Sequence, residues 1–307
     1  MVEKIALVGI GKIARDQHLP SIAANPDWEL AAVVSRNATV DGVEHFQNLS
    51  DLLVERSDIS TISLCIPPQP RFDYAAQALN AGRHVMLEKP PGQTVAECHA
   101  LDALAQKKGC SLFATWHSRY ADCVPETKAW LAERRIKQLR ITWKEDVRRW
   151  HPGQEWIWQP GGLGVFDPGI NALSILTEIL PHPVHLSSAT LEFPENRETP
   201  IAAQLTFQDP SGAAMSADFD WRHDGLQTWD IDVETDGGSL KLSSGGATLA
   251  IDGKVVKQAG DNEYANLYAR MASLVATSSS DMDISPLVHV CDAFALGRRR
   301  IVDPFHY

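Results

Sequence analysis

The sequence predicts two domains: a doubly wound α/β domain with a parallel sheet, then an α+β domain built on a large, mainly antiparallel sheet. Three observations predict this. The 307 residues are enough for two cores of ordinary size. The first third alternates short apolar runs with helix-length segments, whereas past about residue 120 the apolar runs are joined by hairpin signals. The composition, 44% hydrophobic and 22% charged, is that of globular proteins and excludes disordered and fibrous chains.

In order, Lys4 to Val8 reads as a first buried strand, Leu30 to Val34 as a second, Ile59 to Ile66 as a third, His84 to Leu87 as a fourth and Ser111 to Thr115 as a fifth. Amphipathic stretches at about residues 13–24, 70–81 and 95–108 fall between them. Continuous Val, Ile, Leu and Ala runs separated by helices imply parallel strands, because parallel pairing needs crossovers and the crossovers bury both sheet faces. The second domain, 121–307, offers strand-like stretches at Ile136–Val147, Val184–Phe193, Ile201–Phe207, Ala213–Trp221, Gln227–Glu234, Ser239–Leu242 and Ala247–Ile251. Asp236-Gly237-Gly238, Ser244-Gly245-Gly246 and Asp252-Gly253 punctuate them as hairpins. Polar and apolar residues alternate in Leu139-Arg140-Ile141-Thr142-Trp143, so one sheet face is packed and the other is wetter. Residues 262–278 and 286–298 read as closing helices, with Thr277 to Ser280 as the loop between them. The last helix is free to pack back on the first domain, and Arg298-Arg299-Arg300 reads as its last-turn charges complementing the helix dipole.

With 28 basic against 39 acidic residues the net charge is −11, the wrong sign for a partner bound by phosphate neutralisation, so no nucleic acid is expected. The five cysteines, Cys65, Cys98, Cys110, Cys123 and Cys291, are scattered and show no CxxC pairing, which argues against a disulfide framework and a metal site and fits reduced thiols in the cytoplasm. No run approaches the 18 or so apolar residues of a membrane span. A monomer and a homodimer fit the sequence equally: the chain is long enough to stand alone, and a polar-lined sheet is a surface that a second copy can cover.

Val8-Gly9-Ile10-Gly11-Lys12-Ile13-Ala14 follows the first strand and opens a helix, giving GxGxxA where a dinucleotide fingerprint must stand. The glycines let the backbone turn tightly and approach a pyrophosphate, which sits over the helix N-terminus. The first domain is therefore expected to be of the Rossmann type, with Gly9, Gly11, Lys12 and Ile13 at the cofactor. After the second strand, where NAD enzymes usually place a carboxylate for the ribose 2′-hydroxyl, the chain has Ser35-Arg36. A hydroxyl and a bidentate cation suit a 2′-phosphate, so NADP is expected to be preferred over NAD. Cys65, Pro67 and Pro68 end one strand, and Glu88-Lys89-Pro90-Pro91 ends the next; both lie at carboxyl ends of sheet strands, where open α/β sheets bind ligands.

The fingerprint, Pro67-Pro68, Glu88-Lys89-Pro90 and the later Gly161 to Gly169 segment resemble the glucose-fructose oxidoreductase, inositol dehydrogenase and MocA (Gfo/Idh/MocA) family across nearly the whole chain. Within it, Gly9 to Pro20, Ala114 to Ser118 and Trp143 to Gln154 are similar to the branch of bacterial L-arabinose/D-galactose 1-dehydrogenases. The resemblance implies oxidation of an aldopyranose at C1 to its lactone, with hydride transfer to a nicotinamide.

The residues are suited to that reaction. Lys89, beside a cationic nicotinamide in a closing cleft, is expected to hold or relay the hydroxyl proton, since like charge and desolvation both lower a lysine pKa. Asp167 precedes Pro168 at a helix start, the N-cap and N1 pattern, and Asn171 lies four residues on, on the same helix face. The wider family often has His at the place of Asn171; Asn takes up no proton, so Asn171 is left to orient the reacting hydroxyl, and Asp167 and Lys89 are the expected acid/base pair. The segment Trp143 to Trp158 is rich in aromatic, acidic and basic groups, the set that sugar hydroxyls and C–H faces require. Glu145, Trp150 and His151 are the first substrate candidates, with His117 and Trp229 behind them. Two other readings stay open: another polyol or inositol dehydrogenase of the same family, and a non-catalytic sugar and NADP sensor that binds a partner protein.

Overall fold

The computed structural model describes residues 2–307 and divides into two compact units, Met1–His117 with Glu263–Ile284, and Ser118–Asn262 with Ser285–Tyr307. In the first unit six parallel strands, β1 (Glu3–Val8), β2 (Trp28–Val34), β3 (Glu44–Phe46), β4 (Thr61–Leu64), β5 (His84–Glu88) and β6 (Leu112–Thr115), pair in the order β3-β2-β1-β4-β5-β6. That is the Rossmann order, whose strand sequence reverses between β1 and β4. Helices α1 (Leu19–Ala24), α2 (Leu49–Glu55), α3 (Pro68–Asn80) and α4 (Val95–Lys108) form the crossovers. The strands are continuous apolar runs because both faces are buried: on one, Ala6, Val8, Ile62, Leu64, Val85, Leu87 and Leu112 share a core with Leu52, Ala75, Leu79, Leu101 and Ala105 of the helices, and the alternate residues Ile5, Leu7, Val33, Met86 and Phe113 are buried on the other. Two short elements, β3 and α2, were not expected from the sequence; a three-residue edge strand is below the length at which alternation can be read.

The second unit is built on nine strands in the order β14-β13-β12-β11-β7-β10-β9-β8-β15: β7 (Ile136–Lys144), β8 (His185–Pro194), β9 (Ala202–Gln208), β10 (Ala214–Asp220), β11 (Thr228–Thr235), β12 (Gly238–Ser243), β13 (Thr248–Ile251), β14 (Lys254–Gln258) and β15 (Arg298–Val302). All neighbours are antiparallel except β7 with β10 and β8 with β15. Along β7, Leu139, Ile141 and Trp143 are buried while Gln138 and Arg140 are exposed, the alternation the sequence shows. The apolar face is covered by α5 (Val124–Ala132), α7 (Phe166–Ile179) and α9 (Ser285–Leu296); a short α6 (Val147–Trp150) follows β7. The helix α8 (Glu263–Thr277) belongs to the first unit.

Three expectations need correction. A single boundary at residue 120 misses the return of the chain: Glu263–Ile284 rejoins the first unit, and the last helix, α9, stays with the second. Tyr264, Leu267, Tyr268 and Met271 form the buried stripe that ties α8 there. Arg298-Arg299-Arg300 is not a helix end; α9 stops at Leu296, Gly297 follows, and the three arginines lie in β15, an exposed edge strand on which charge discourages further pairing. Asp167 is not an N-cap either, since α7 begins at Phe166 and Asp167 lies inside its first turn.

Candidate active site

The first unit presents a nucleotide cradle at the switch between β1 and β4. Gly9 has φ +90°, and a Cβ there would stand 2.7 Å from Ile66 Cγ2 and 3.1 Å from the Cys65 carbonyl oxygen, so the turn admits no side chain. At Gly11 nothing lies within 4 Å of a Cβ position, which leaves the backbone open to a group approaching closely. Lys12 and Ile13 begin a helix that runs to Ala24, its exposed N–H groups and dipole suited to an anion. The residues present fit the pyrophosphate of a dinucleotide. Within that helix Ala14–His18 is a π-helical turn in which Leu19 N–H bonds the Ala14 carbonyl. Pro20 follows and has no N–H of its own, and the wider turn takes up the misfit that its ring creates. Lys12 is exposed and paired with Asp16.

At the end of β2, the Ser35 N–H bonds the Phe46 carbonyl and the Ser35 carbonyl accepts from His45 Nε2 at 2.7 Å, which fixes the turn that carries Arg36. Arg36 is exposed and has no ion-pair or hydrogen-bond partner among the described residues. Arg15, not singled out in the sequence, donates to the Thr39 carbonyl at 3.2 Å and so places a second cation beside the same loop.

At the next strand ends, Pro67 caps and Pro68 starts α3. Buried Arg71 of that helix donates to the carbonyls of Ile66, Glu88 and Pro90, tying the end of β4 to the end of β5. Glu88, expected at the cofactor, has a buried carboxylate. Its Oε2 accepts the Lys89 N–H at 2.8 Å, and its Oε1 accepts from the Tyr264 hydroxyl at 2.7 Å and lies 3.0 Å from His18 Nε2. Burial alone would raise the Glu88 pKa, but the His18 hydrogen bond and charge, with help from His117 and Tyr264, hold it at about 2. Burial would likewise lower His18; Cys65, Tyr268 and Glu88 around its ring outweigh this and keep it well above the ordinary histidine value. Glu88 is thus a brace that orients the Lys89 peptide. His117 stacks on Tyr264 with ring centres 5.5 Å apart and pairs with Glu263, which overcomes burial and raises its pKa.

In the second unit, α7 carries Asp167 and Asn171 one turn apart. It lies close on β10, since a Cβ on Gly169 would stand 2.8 Å from the Phe219 ring. Asp167 is buried, and His151 Nε2 lies 3.3 Å from its Oδ2. The Asn171 side-chain amide has no hydrogen-bond partner among the described residues; its backbone carbonyl accepts from Ser174. Glu145, a substrate candidate from the sequence, is buried with one oxygen accepting from Trp221 Nε1 at 3.0 Å and the other from Trp229 Nε1 at 2.8 Å. It holds two indoles in place. Trp229 lies near parallel to Trp143 at 5.9 Å and tilted against Trp150 at 5.5 Å, forming an aromatic wall. Trp150 Nε1, like Trp143 Nε1, is buried with no acceptor among the described residues. Among the described residues no helix is long and apolar enough to cross a membrane.

Comparison with known proteins agrees with this geometry. Residues 3–115 match the model of an oxidoreductase family with an NAD-binding Rossmann fold, that of Gfo/Idh/MocA. A galactose 1-dehydrogenase of Pseudomonas fluorescens is 44% identical over 304 residues, which cover 99% of this chain and 98% of that protein. The crystal structure of a D-galactose-1-dehydrogenase from Rhizobium etli superposes with a TM-score of 0.96 at 54% identity, covering 99% of this chain and 98% of that one. A 3-ketoreductase from Actinomadura kijaniata, solved with NADP and TDP-benzene, shares the fold at 19% identity with a TM-score of 0.84, covering 98% of this chain and 100% of that one. The parallel sheet with its glycine cradle and the likeness to full-length relatives converge: the chain belongs to the Gfo/Idh/MocA oxidoreductase family.

Proposed function

We propose that the protein is an aldose 1-dehydrogenase that oxidises D-galactose and L-arabinose at C1 to their lactones, with NADP preferred to NAD. The observation that carries this reading is the likeness, over essentially the whole chain, to two galactose 1-dehydrogenases. D-Galactose and L-arabinose share configuration at C2 to C4 and differ at C5, so a site that reads C2 to C4 accepts both.

Gly9, Gly11, Lys12 and Ile13 would hold the pyrophosphate, and Ser35 and Arg36 the 2′-phosphate. Bound NADP supplies the two-electron acceptor. Lys89 and Asp167 serve as the acid/base pair for the C1 hydroxyl proton, and the peptide of Lys89 is fixed by the Glu88 carboxylate. Asn171 orients that hydroxyl, having donors and an acceptor but no site for a proton. The Trp150 indole N–H donates to a sugar hydroxyl, and Trp229 and Trp150 offer their faces to its C–H bonds. The partner is a small aldose, with no nucleic acid and no membrane, and the expected location is the cytoplasm.

The test is initial rates of nicotinamide reduction with L-arabinose, D-galactose, D-xylose, D-glucose and myo-inositol, each with NADP and with NAD. Rapid turnover confined to the first two, faster with NADP, supports the reading. Activity on myo-inositol alone assigns the protein to another branch of the family, and NADP binding with no turnover on any sugar favours a sensor.

A further inference from the structure

Asp167 is buried inside the first turn of α7, and a buried carboxylate that accepts a proton must pass it on before the next turnover. Asn171, one turn further along, has no proton-accepting atom. The group that stands at the carboxylate is His151, from the loop after α6: its Nε2 is 3.3 Å from Asp167 Oδ2, its Nδ1 is 3.4 Å from Gln154 Oε1, and its side chain keeps 19% of its surface in solvent, against 6% for Asp167. The ring is held against Trp221, with centres 5.2 Å apart, and the Trp221 indole is in turn fixed by Glu145. The imidazole thus has one nitrogen at the buried carboxylate and is partly exposed to solvent, in an orientation set by Trp221.

We propose that His151 is the proton relay of Asp167, a role that rests on the aldose oxidation proposed above. The C1–H bond breaks with its electron pair going to the nicotinamide dinucleotide, the C1–O bond becomes a carbonyl, and the hydroxyl proton passes to Asp167. His151, neutral with its proton on Nδ1, takes that proton on Nε2 to become imidazolium, which then loses one proton to solvent and re-forms the Nδ1–H tautomer by exchange with solvent, so each turnover releases one proton and returns both Asp167 and His151 to their starting states. His151 acts through Asp167 and is a positioning and relay residue; its contact with the sugar is not required.

The test compares wild type, His151→Gln and His151→Ala with D-galactose and NADP. Gln retains a polar side chain of similar reach but cannot relay. Relay predicts that kcat falls about 100-fold in both variants, with KM for the sugar within about threefold of wild type. It also predicts that added imidazole raises kcat of His151→Ala at least about tenfold and leaves wild type unchanged, a readout that a structural or sugar-binding role does not move. If His151→Ala does not fold, His151→Gln decides through its kcat and its solvent deuterium isotope effect, which should exceed that of wild type because proton release has become slow. A kcat within about threefold of wild type, a change confined to KM, or no imidazole rescue in a folded His151→Ala overturns the relay while leaving the aldose reading intact. A wild type with no activity on any of the sugars overturns both.

Discussion

The Tyr264 hydroxyl donates to Glu88 Oε1 at 2.7 Å, joining residues 176 positions apart in the chain. The bond exists because α8 returns to the first unit, where its buried face meets the end of β5. Around it, His18, Tyr268 and the Lys89 peptide complete a buried polar cluster in which nearly every donor has an acceptor. Such a cluster is costly to disturb, since removing one member leaves another buried without its partner. The position of Lys89 therefore depends on residues from both ends of the first unit's sequence.

This pairing makes stability depend on pH in two directions. Glu88 is held at about 2, below its ordinary value of 4.5, so its contribution is complete above about pH 4.5 and is lost as pH falls towards 2; the shift corresponds to about 3 kcal/mol. His18 is raised above 6.5, so its contribution is complete below that pH and is lost as pH rises through the raised value. Urea unfolding across pH should show the pair contributing most between about 4.5 and 6.5. His18→Gln should flatten the alkaline side of the profile and Glu88→Gln the acid side.

Arg36 is exposed and unpaired, so its removal should leave folding unaffected and act on the cofactor alone. Arg36→Ala should raise the Kd for NADP about 10- to 100-fold, the loss of a charge-assisted contact of about 1.5–3 kcal/mol, with the Kd for NAD changed less than about threefold. Isothermal titration with the two dinucleotides checks this; equal weakening of both would place Arg36 at the adenine instead of the 2′-phosphate.

If Lys89 is half of the proposed acid/base pair, Lys89→Ala should lower kcat about 10²- to 10⁴-fold and leave NADP binding in place, because it would remove a proton-transfer group and none of the proposed pyrophosphate contacts. Pre-steady-state reduction of the nicotinamide together with titration of the dinucleotide separates the two effects, and lactone formed at the wild-type rate would show that the proton leaves by another route.

Trp150→Phe keeps an aromatic face and removes only the orphan indole N–H. If that donor meets a sugar hydroxyl, KM for D-galactose should rise about 5- to 10-fold, with the melting temperature equal to or above that of wild type, since a buried unpaired donor is itself destabilising. An unchanged KM would remove Trp150 from the hydrogen-bonding part of the site.

Local patterning alone determined much of this molecule. The β-α-β rhythm, the glycine turn after the first strand and the alternation along β7 were legible because each is written within a few residues, at the period of the element that carries it. What depended on distant partners was not legible. The partners of the Glu88 and Glu145 carboxylates came only from tertiary packing, from side chains far along the chain: His18 and Tyr264 for the one, Trp221 and Trp229 for the other. The return of α8 to the first unit, the use of the three arginines in an edge strand, and the approach of His151 to Asp167 were decided in the same way. A buried charge is stable only beside its partners, and those partners are chosen by the fold, so a polar residue's neighbours cannot be read from its own segment.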